Sequence, residues 1–242
     1  PKMKKTETIV SIGLPVYNGD QTLSIVLDAL LAQTFTNFEI IISDNCSTDN
    51  TEKICKTYAF NDKRIRYIKQ SVNLGIFGNL EFVLSKAVGR YFMWSAADDL
   101  RSKDFLEVNF NFLEKNQKYV ASTSPNCYEE RKGIATELIN FSIEGNLGQR
   151  IESFINNCWQ SHGIIYSLIR TDILKQYPYH GEICLGGDWK INIYLLSKGS
   201  IHRSEKGLMT SGAFGVSSSK NAWSPFRTNI ICWIFPLYDF SF

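Results

Sequence analysis

At 242 residues, with 44% hydrophobic and 21% charged side chains, the chain has enough apolar material for one α/β domain, and wholesale disorder is excluded. A formal net charge of +2 argues against nucleic acid as a partner, because no basic block extends beyond the short stretch at residues 2–5. The six cysteines (Cys46, Cys55, Cys127, Cys158, Cys184, Cys232) form no C-x-x-C and have no histidine at zinc spacing, so they read as reduced thiols of a cytoplasmic protein.

Residues 9–16 (IVSIGLPV) are a β-rich run that stops at Pro15 and the turn Tyr17-Asn18-Gly19-Asp20. Residues 22–33 place Leu23, Val26, Leu27, Leu30 and Leu31 at helical spacing. Residues 38–43 (FEIIIS) are continuously apolar, as a strand buried on both faces would be. That run ends in the polar turn at 44–47, where Ser47 or Thr48 is placed to cap a helix reaching about residue 59. Residues 65–69 predict a third strand, Asn73-Leu74-Gly75 a turn, and residues 79–87 a helix with Gly89 as its stop. Residues 91–95 (YFMWS) predict a fourth strand that delivers Asp98-Asp99 at its carboxyl end. A helix over 103–115 and a strand over 119–124 follow.

After Pro125 the pattern loosens. Residues 126–148 are polar and predict a long loop or insertion, residues 164–169 a strand, 171–176 a short helix, and 188–196 a helix opened by Gly186-Gly187. Beyond residue 198 come short strands and loops, including a Ser/Gly-rich stretch (SGAFGVSSSK) read as mobile. No signal peptide precedes the first strand, and no run reaches the roughly 20 apolar residues of a membrane span. Residues 230–242 come nearest, and two readings stand: a core segment, or an interfacial one presenting Trp233, Phe235, Tyr238 and Phe240 to lipid.

Strands alternating with helices predict a mostly parallel α/β sheet, whose ligands sit beyond the strand carboxyl ends. Asp44 and Asp98-Asp99 therefore converge although they are distant in sequence. Two adjacent carboxylates repel and call for a cation, and Mg²⁺ or Mn²⁺ would take them as hard oxygen ligands with positions left for phosphate oxygens. Alone, such a pair is as well read as a solvated turn. Asp44 can accept from a base N–H or a ribose hydroxyl, or simply cap its turn. Asp188, beside Trp189, is either a base for an acceptor hydroxyl next to a sugar-stacking ring or an acid favoured by its helix dipole. His162 and His202 carry weaker signals, each as readily a structural histidine as one lining a site.

These segments, taken in order, resemble the family-2 glycosyltransferases with the GT-A fold. The resemblance runs from residue 10 to about 116: VSIGLPVYN, then LDALLAQTFTNFEIIISDNCSTDNT, Asn73-Leu74-Gly75, and GRYFMWSAADD. It implies a single GT-A domain over 1–242, with a Rossmann-like sheet flanked by helices. Residues 1–124 would be the nucleotide-sugar half, and 125–242 a less regular acceptor half carrying the C-terminal aromatic segment. It implies that Pro15, Tyr17, Asn18 and Asp44 hold the nucleotide, with Asn73 and Gly75 near its ribose or base. Asp98 would approach the ribose or the metal, and Asp99 the Mn²⁺ or Mg²⁺ that bridges the diphosphate. Asp188 would be the catalytic base, with Trp189 and His162 on the acceptor side.

The implied reaction is inverting transfer from a nucleotide-diphosphate sugar, a UDP-sugar by preference, to a glycan or lipid-linked acceptor. An enzyme of that kind is expected at the inner face of the cell membrane, touching it through residues 230–242. A catalytically degenerate binding domain and a nucleotidyltransferase remain as alternatives, although PVYNGDQT lacks the Gly-rich basic loop of the latter. The chain departs from the family where Ala96 opens the acidic motif and where Gly187 stands before Asp188 in place of the usual Glu. The Gln-x-x-Arg-Trp motif of processive synthases is absent.

Overall fold

A computed structural model describes residues 8–128, 140–157, 163–179 and 187–212. Strand β1 (Val10–Val16) leads into helix α1 (Leu23–Leu31), whose Leu23, Val26, Leu27 and Leu30 form one buried stripe. Strand β2 (Phe38–Asp44) is buried along its whole length, and α2 (Thr51–Asn61) and β3 (Ile65–Lys69) follow. Ile40, Ile41 and Ile42 are fully buried on alternating faces, each contributing about 1.5–3 kcal/mol of burial.

Helix α3 (Gly75–Ser85) starts four residues before the expected position and ends before Gly89. The early start follows from Gly75, whose φ of 73° turns the chain directly into the helix. Gly89 does not stop it; its amide donates to Ser11 Oγ at 2.9 Å. Strands β4 (Tyr91–Trp94) and β5 (Leu100–Arg101) flank the acidic pair, and α4 (Phe105–Lys115) and β6 (Tyr119–Thr123) complete the first half.

The second half holds more order than its polar sequence suggests. It contains β7 (Asn126–Tyr128), α5 (Leu147–Asn157), β8 (Leu168–Arg170), α6 (Thr171–Leu174), α7 (Gly187–Lys198), β9 (Ser200–Arg203) and β10 (Met209–Ser211). Helix α5 begins at the last two residues of the stretch expected to be a loop and runs beyond it, where no element was expected. The strand expected over 164–169 is shorter and begins at Leu168, because residues up to Ser167 form a turn closed by Ser167 N–H to Ile164 O at 3.1 Å.

The main sheet has the order β3-β2-β1-β4-β8-β6-β9. Strands β3, β2, β1 and β4 are mutually parallel; β8 runs antiparallel to both β4 and β6, and β6 and β9 are parallel. A small second sheet, β5-β10-β7, sits beside the carboxyl end of β4. One core lies beneath α1, α2 and α4, and the other joins α3 to α7 across the sheet; Tyr166 packs against both. Among the described residues no helix is long and apolar enough to cross a membrane.

Candidate active site

The carboxyl ends of β1 and β2 lie side by side, with Val16 opposite Asp44 in register and Pro15 opposite Ser43. Asp44 is fully buried; its Oδ1 accepts from the Ser47 amide at 2.8 Å and its Oδ2 from the Tyr67 hydroxyl at 2.9 Å. Burial and this carboxylate push the Tyr67 phenol well up.

Ser47 and Thr48 do not cap α2, as was expected of them. They fasten the two loops together: the Asn18 amide donates to Ser47 Oγ at 3.0 Å and the Thr48 amide to Asn18 Oδ1 at 2.8 Å. Asn18 achieves this with a positive φ of 50°, a conformation asparagine tolerates better than most residues. The Gly19 amide donates to Thr51 Oγ1 at 2.9 Å, and the Asp20 amide to Asp49 Oδ2 at 3.1 Å.

Asn73 belongs to the same frame. Its Oδ1 accepts from Asn45 Nδ2 and from the Gly75 amide, both at 2.8 Å, while Asn45 Oδ1 accepts from the Leu74 amide at 2.7 Å. Among the residues expected to hold a nucleotide, Asn18, Asp44 and Asn73 thus build the loops. Tyr17, 52% exposed, presents an open ring at their rim.

Asp98 and Asp99 lie between β4 and β5, Asp98 half-buried and Asp99 only 5% exposed. The Gly212 amide donates to Asp99 Oδ1 at 3.1 Å, whereas Asp99 Oδ2 is buried with no partner among the described residues. Close beneath is Arg101, equally buried, with Nη1 donating to Ser95 Oγ at 2.8 Å and Nη2 to the Trp94 carbonyl at 3.1 Å; its Nε is also unpartnered. Burial raises the Asp99 carboxyl to about 6, with a further push from Asp98 and opposing pulls from Arg101 and the Gly212 amide.

An orphaned, buried carboxylate oxygen beside a second acid is the donor chemistry that a hard divalent cation satisfies. No group of three or more acidic, histidine or cysteine side chains surrounds it among the described residues. Asp98 and Asp99 are the residues that would hold such a cation, with phosphate oxygens and water filling its remaining positions.

Asp188 is the second residue of α7 and half-buried. Its relation to the pair is visible at Tyr166, whose phenol is pushed up by burial and then by the charges of Asp99, Asp188 and Asp98, with Arg101 opposing. Charges from two halves of the chain thus act on one hydroxyl. Trp189 turns partly toward the core, its ring edge-on to Phe154 at 6.4 Å. His202 lies on β9 and stacks on Phe112 with ring centroids 3.5 Å apart, a structural setting. His162 and the aromatic segment 230–242 lie outside the described residues.

Arg101, Tyr166 and Gly212 went unnoticed in the sequence. An arginine in a short strand two residues after an acidic pair was a usable signal for Arg101. Gly212 acts 113 residues from Asp99, and nothing local marks it.

Comparison with known proteins agrees with this architecture. The chain is 32% identical over 108 residues to the Escherichia coli UDP-Glc:alpha-D-GlcNAc-diphosphoundecaprenol beta-1,3-glucosyltransferase WfgD, covering 45% of this chain and 42% of that protein. It spans less than half the length of the first curated relatives it matches. The structure of S. aureus TarS 1-349 in complex with UDP-GlcNAc superposes with a TM-score of 0.68 at 18% identity, over 90% of this chain and 64% of that one. Mannosyltransferase PcManGT from Pyrobaculum calidifontis, solved with GDP-Man and Mn2+, superposes with a TM-score of 0.63 at 13% identity, over 86% and 58%. These likenesses show the GT-A fold. The family described as Glycosyl transferase family 2 matches residues 11–177, more than half of the sequence, and the chain belongs to that family.

Proposed function

We propose that the chain transfers a sugar, with inversion, from a UDP-sugar to a hydroxyl of a glycan or lipid-linked acceptor. The observation that carries this reading is the buried, unpartnered Asp99 Oδ2 beside Asp98, an acidic pair suited to a diphosphate-bound cation, with the charge of the separate Asp188 carboxylate acting on the same Tyr166 hydroxyl. UDP-GlcNAc in the TarS complex and the UDP-Glc and diphosphoundecaprenol of the WfgD name support the donor and acceptor classes.

In this reading the open ring of Tyr17 meets the uracil face, and Asp44 and the Asn73–Gly75 turn bound the base and ribose. Asp98 and Asp99 would hold Mn²⁺ or Mg²⁺, whose charge would offset that developing on the leaving diphosphate. Asp188 takes the proton of the acceptor hydroxyl as that oxygen bonds to the anomeric carbon. The bond from the anomeric carbon to the β-phosphate oxygen breaks, and its electron pair leaves with UDP. One displacement needs one base, and inversion follows. A lipid-linked acceptor would place the reaction at the cytoplasmic face of the membrane.

The test is UDP release from a panel of UDP-sugars with Mn²⁺, alone and with undecaprenyl-diphosphate-linked sugars added. Asp188→Asn is expected to lower the turnover by about 10²–10⁴-fold while leaving UDP binding intact. Full turnover in that variant would sink the assignment, and a wild-type chain that binds UDP but turns over no donor would favour the binding-only alternative.

A further inference from the structure

Gly187 opens α7 and is buried. A Cβ at this position would lie 2.2 Å from Cζ and 2.6 Å from Cε1 of Phe77, far inside the roughly 3.5–4.0 Å of carbon–carbon contact. The aromatic ring occupies the space a side chain at 187 would need. Gly187 is thus required by its neighbour across the site, which explains why no larger residue precedes Asp188.

Phe77 is itself firmly held. It stands in the first turn of α3, and that turn is tied to the end of β2 from two sides. Asn45 Nδ2 donates to the Gly75 carbonyl at 3.1 Å, and Asn79 Nδ2 donates to the Ser43 carbonyl at 3.0 Å. Below the ring, Leu80, Val83 and Leu84 of α3 share one apolar cluster with Ile191, Leu195 and Leu196 of α7. The start of α7 therefore rests on a ring whose own position is set by the donor-side loops.

We propose that Phe77 is a positioning residue for Asp188: its ring, seated on the bare backbone of Gly187, fixes where the next residue's carboxylate lies. The inference rests on the reading of Asp188 as the base. A displacement of about 1 Å at a reacting group can cost on the order of 10²-fold in rate, so a contact at the adjacent residue has the leverage required.

The experiment is size complementation, read as UDP release from UDP-glucose and UDP-N-acetylglucosamine with Mn²⁺. Gly187→Ala is expected to lower kcat at least about tenfold with donor KM changed less than about threefold. Adding Phe77→Leu, which removes Cζ, Cε1 and Cε2, the three carbons that would collide, is expected to restore most of the lost kcat. In thermal unfolding the Gly187→Ala penalty should likewise shrink in the Phe77→Leu background, as contacting residues couple. Wild-type kcat in Gly187→Ala overturns the proposal, as does a loss that Phe77→Leu does not relieve, or a donor KM that moves in step with kcat. Should Gly187→Ala fail to fold, Phe77→Leu alone decides: a lowered kcat at unchanged KM supports the proposal and wild-type kcat overturns it. Full activity in Asp188→Asn is the separate outcome that overturns the base reading.

Discussion

Asp99 is held in a setting that suits an ionised carboxylate poorly. Its carboxyl is buried, one oxygen is unpartnered, and its pKa is raised to about 6. The unfolded chain releases this proton near the usual aspartate value of 3.8, so between those two values the folded protein holds more protons than the unfolded one. The contribution of Asp99 to stability is thus fully present below about pH 4 and is lost as pH rises through about 6. The difference amounts to about 3 kcal/mol. In chelator-treated protein, Asp99→Asn is expected to remove most of the fall in melting temperature between pH 5 and pH 7 that the wild type shows. Mn²⁺ should restore the wild type at pH 7, where the carboxylate is ionised, and leave Asp99→Asn unmoved. An identical pH profile for both chains would argue against a buried, ill-compensated Asp99.

Among the elements, the loops after β1 and β2 are the ones whose roles shifted. Pro15, Tyr17, Asn18 and Asp44 were legible as one polar edge, because strand runs ending in turns announce where a parallel sheet opens. What the residues do there was not legible. Asn18 and Ser47 belong to different loops, and their hydrogen bonds depend on two strands being placed side by side. The caps expected of Ser47 and Thr48 went to this stitching instead, and α2 begins at Thr51. Asn18→Ala removes the acceptor of the Thr48 amide and puts a Cβ residue less tolerant of positive φ at 50°. It is expected to cost about 1–2 kcal/mol in urea unfolding, and Asn18→Gly less, since glycine accepts the backbone without strain. An equal loss in both would mean that the hydrogen bond carries the whole effect.

At the scale of the whole molecule, the acidic pair is completed from far along the chain. Gly212 follows β10, donates its amide to Asp99, and approaches so closely that a Cβ would meet the Asp98 carbonyl oxygen at 2.3 Å. Gly212→Ala is therefore expected to raise the Mn²⁺ concentration needed for half-maximal thermal stabilisation by at least about tenfold, which corresponds to about 1.4 kcal/mol. An unchanged Mn²⁺ response would show that the pair does not need this support. The first half of the fold could be read ahead of the structure because its strands are apolar, short-looped and local. In the second half α6 and α7 could be read as well, whereas α5 was missed and the short β7 and β10, which pair in one sheet with β5, are defined only by that pairing.

The reversed strand β8 has a consequence for how this molecule opens. It pairs with β4 through Tyr91 with Arg170 and Phe92 with Ile169, and with β6 through Ala121 with Ile169 and Ser122 with Leu168. Arg170 reinforces that narrow seam, its guanidinium donating to the carbonyls of Tyr119 at 2.9 Å and Leu113 at 2.8 Å. Amide hydrogen exchange should thus proceed in two tiers, slowest in β1 and β2 and sooner in β8. In the proposed reading a donor at Asp44 and an acceptor at Asp188 would together span both tiers, since α7 packs on β6 beyond β8. Occupancy of both would then register as slowed exchange across β8, a strand that carries none of the proposed site residues.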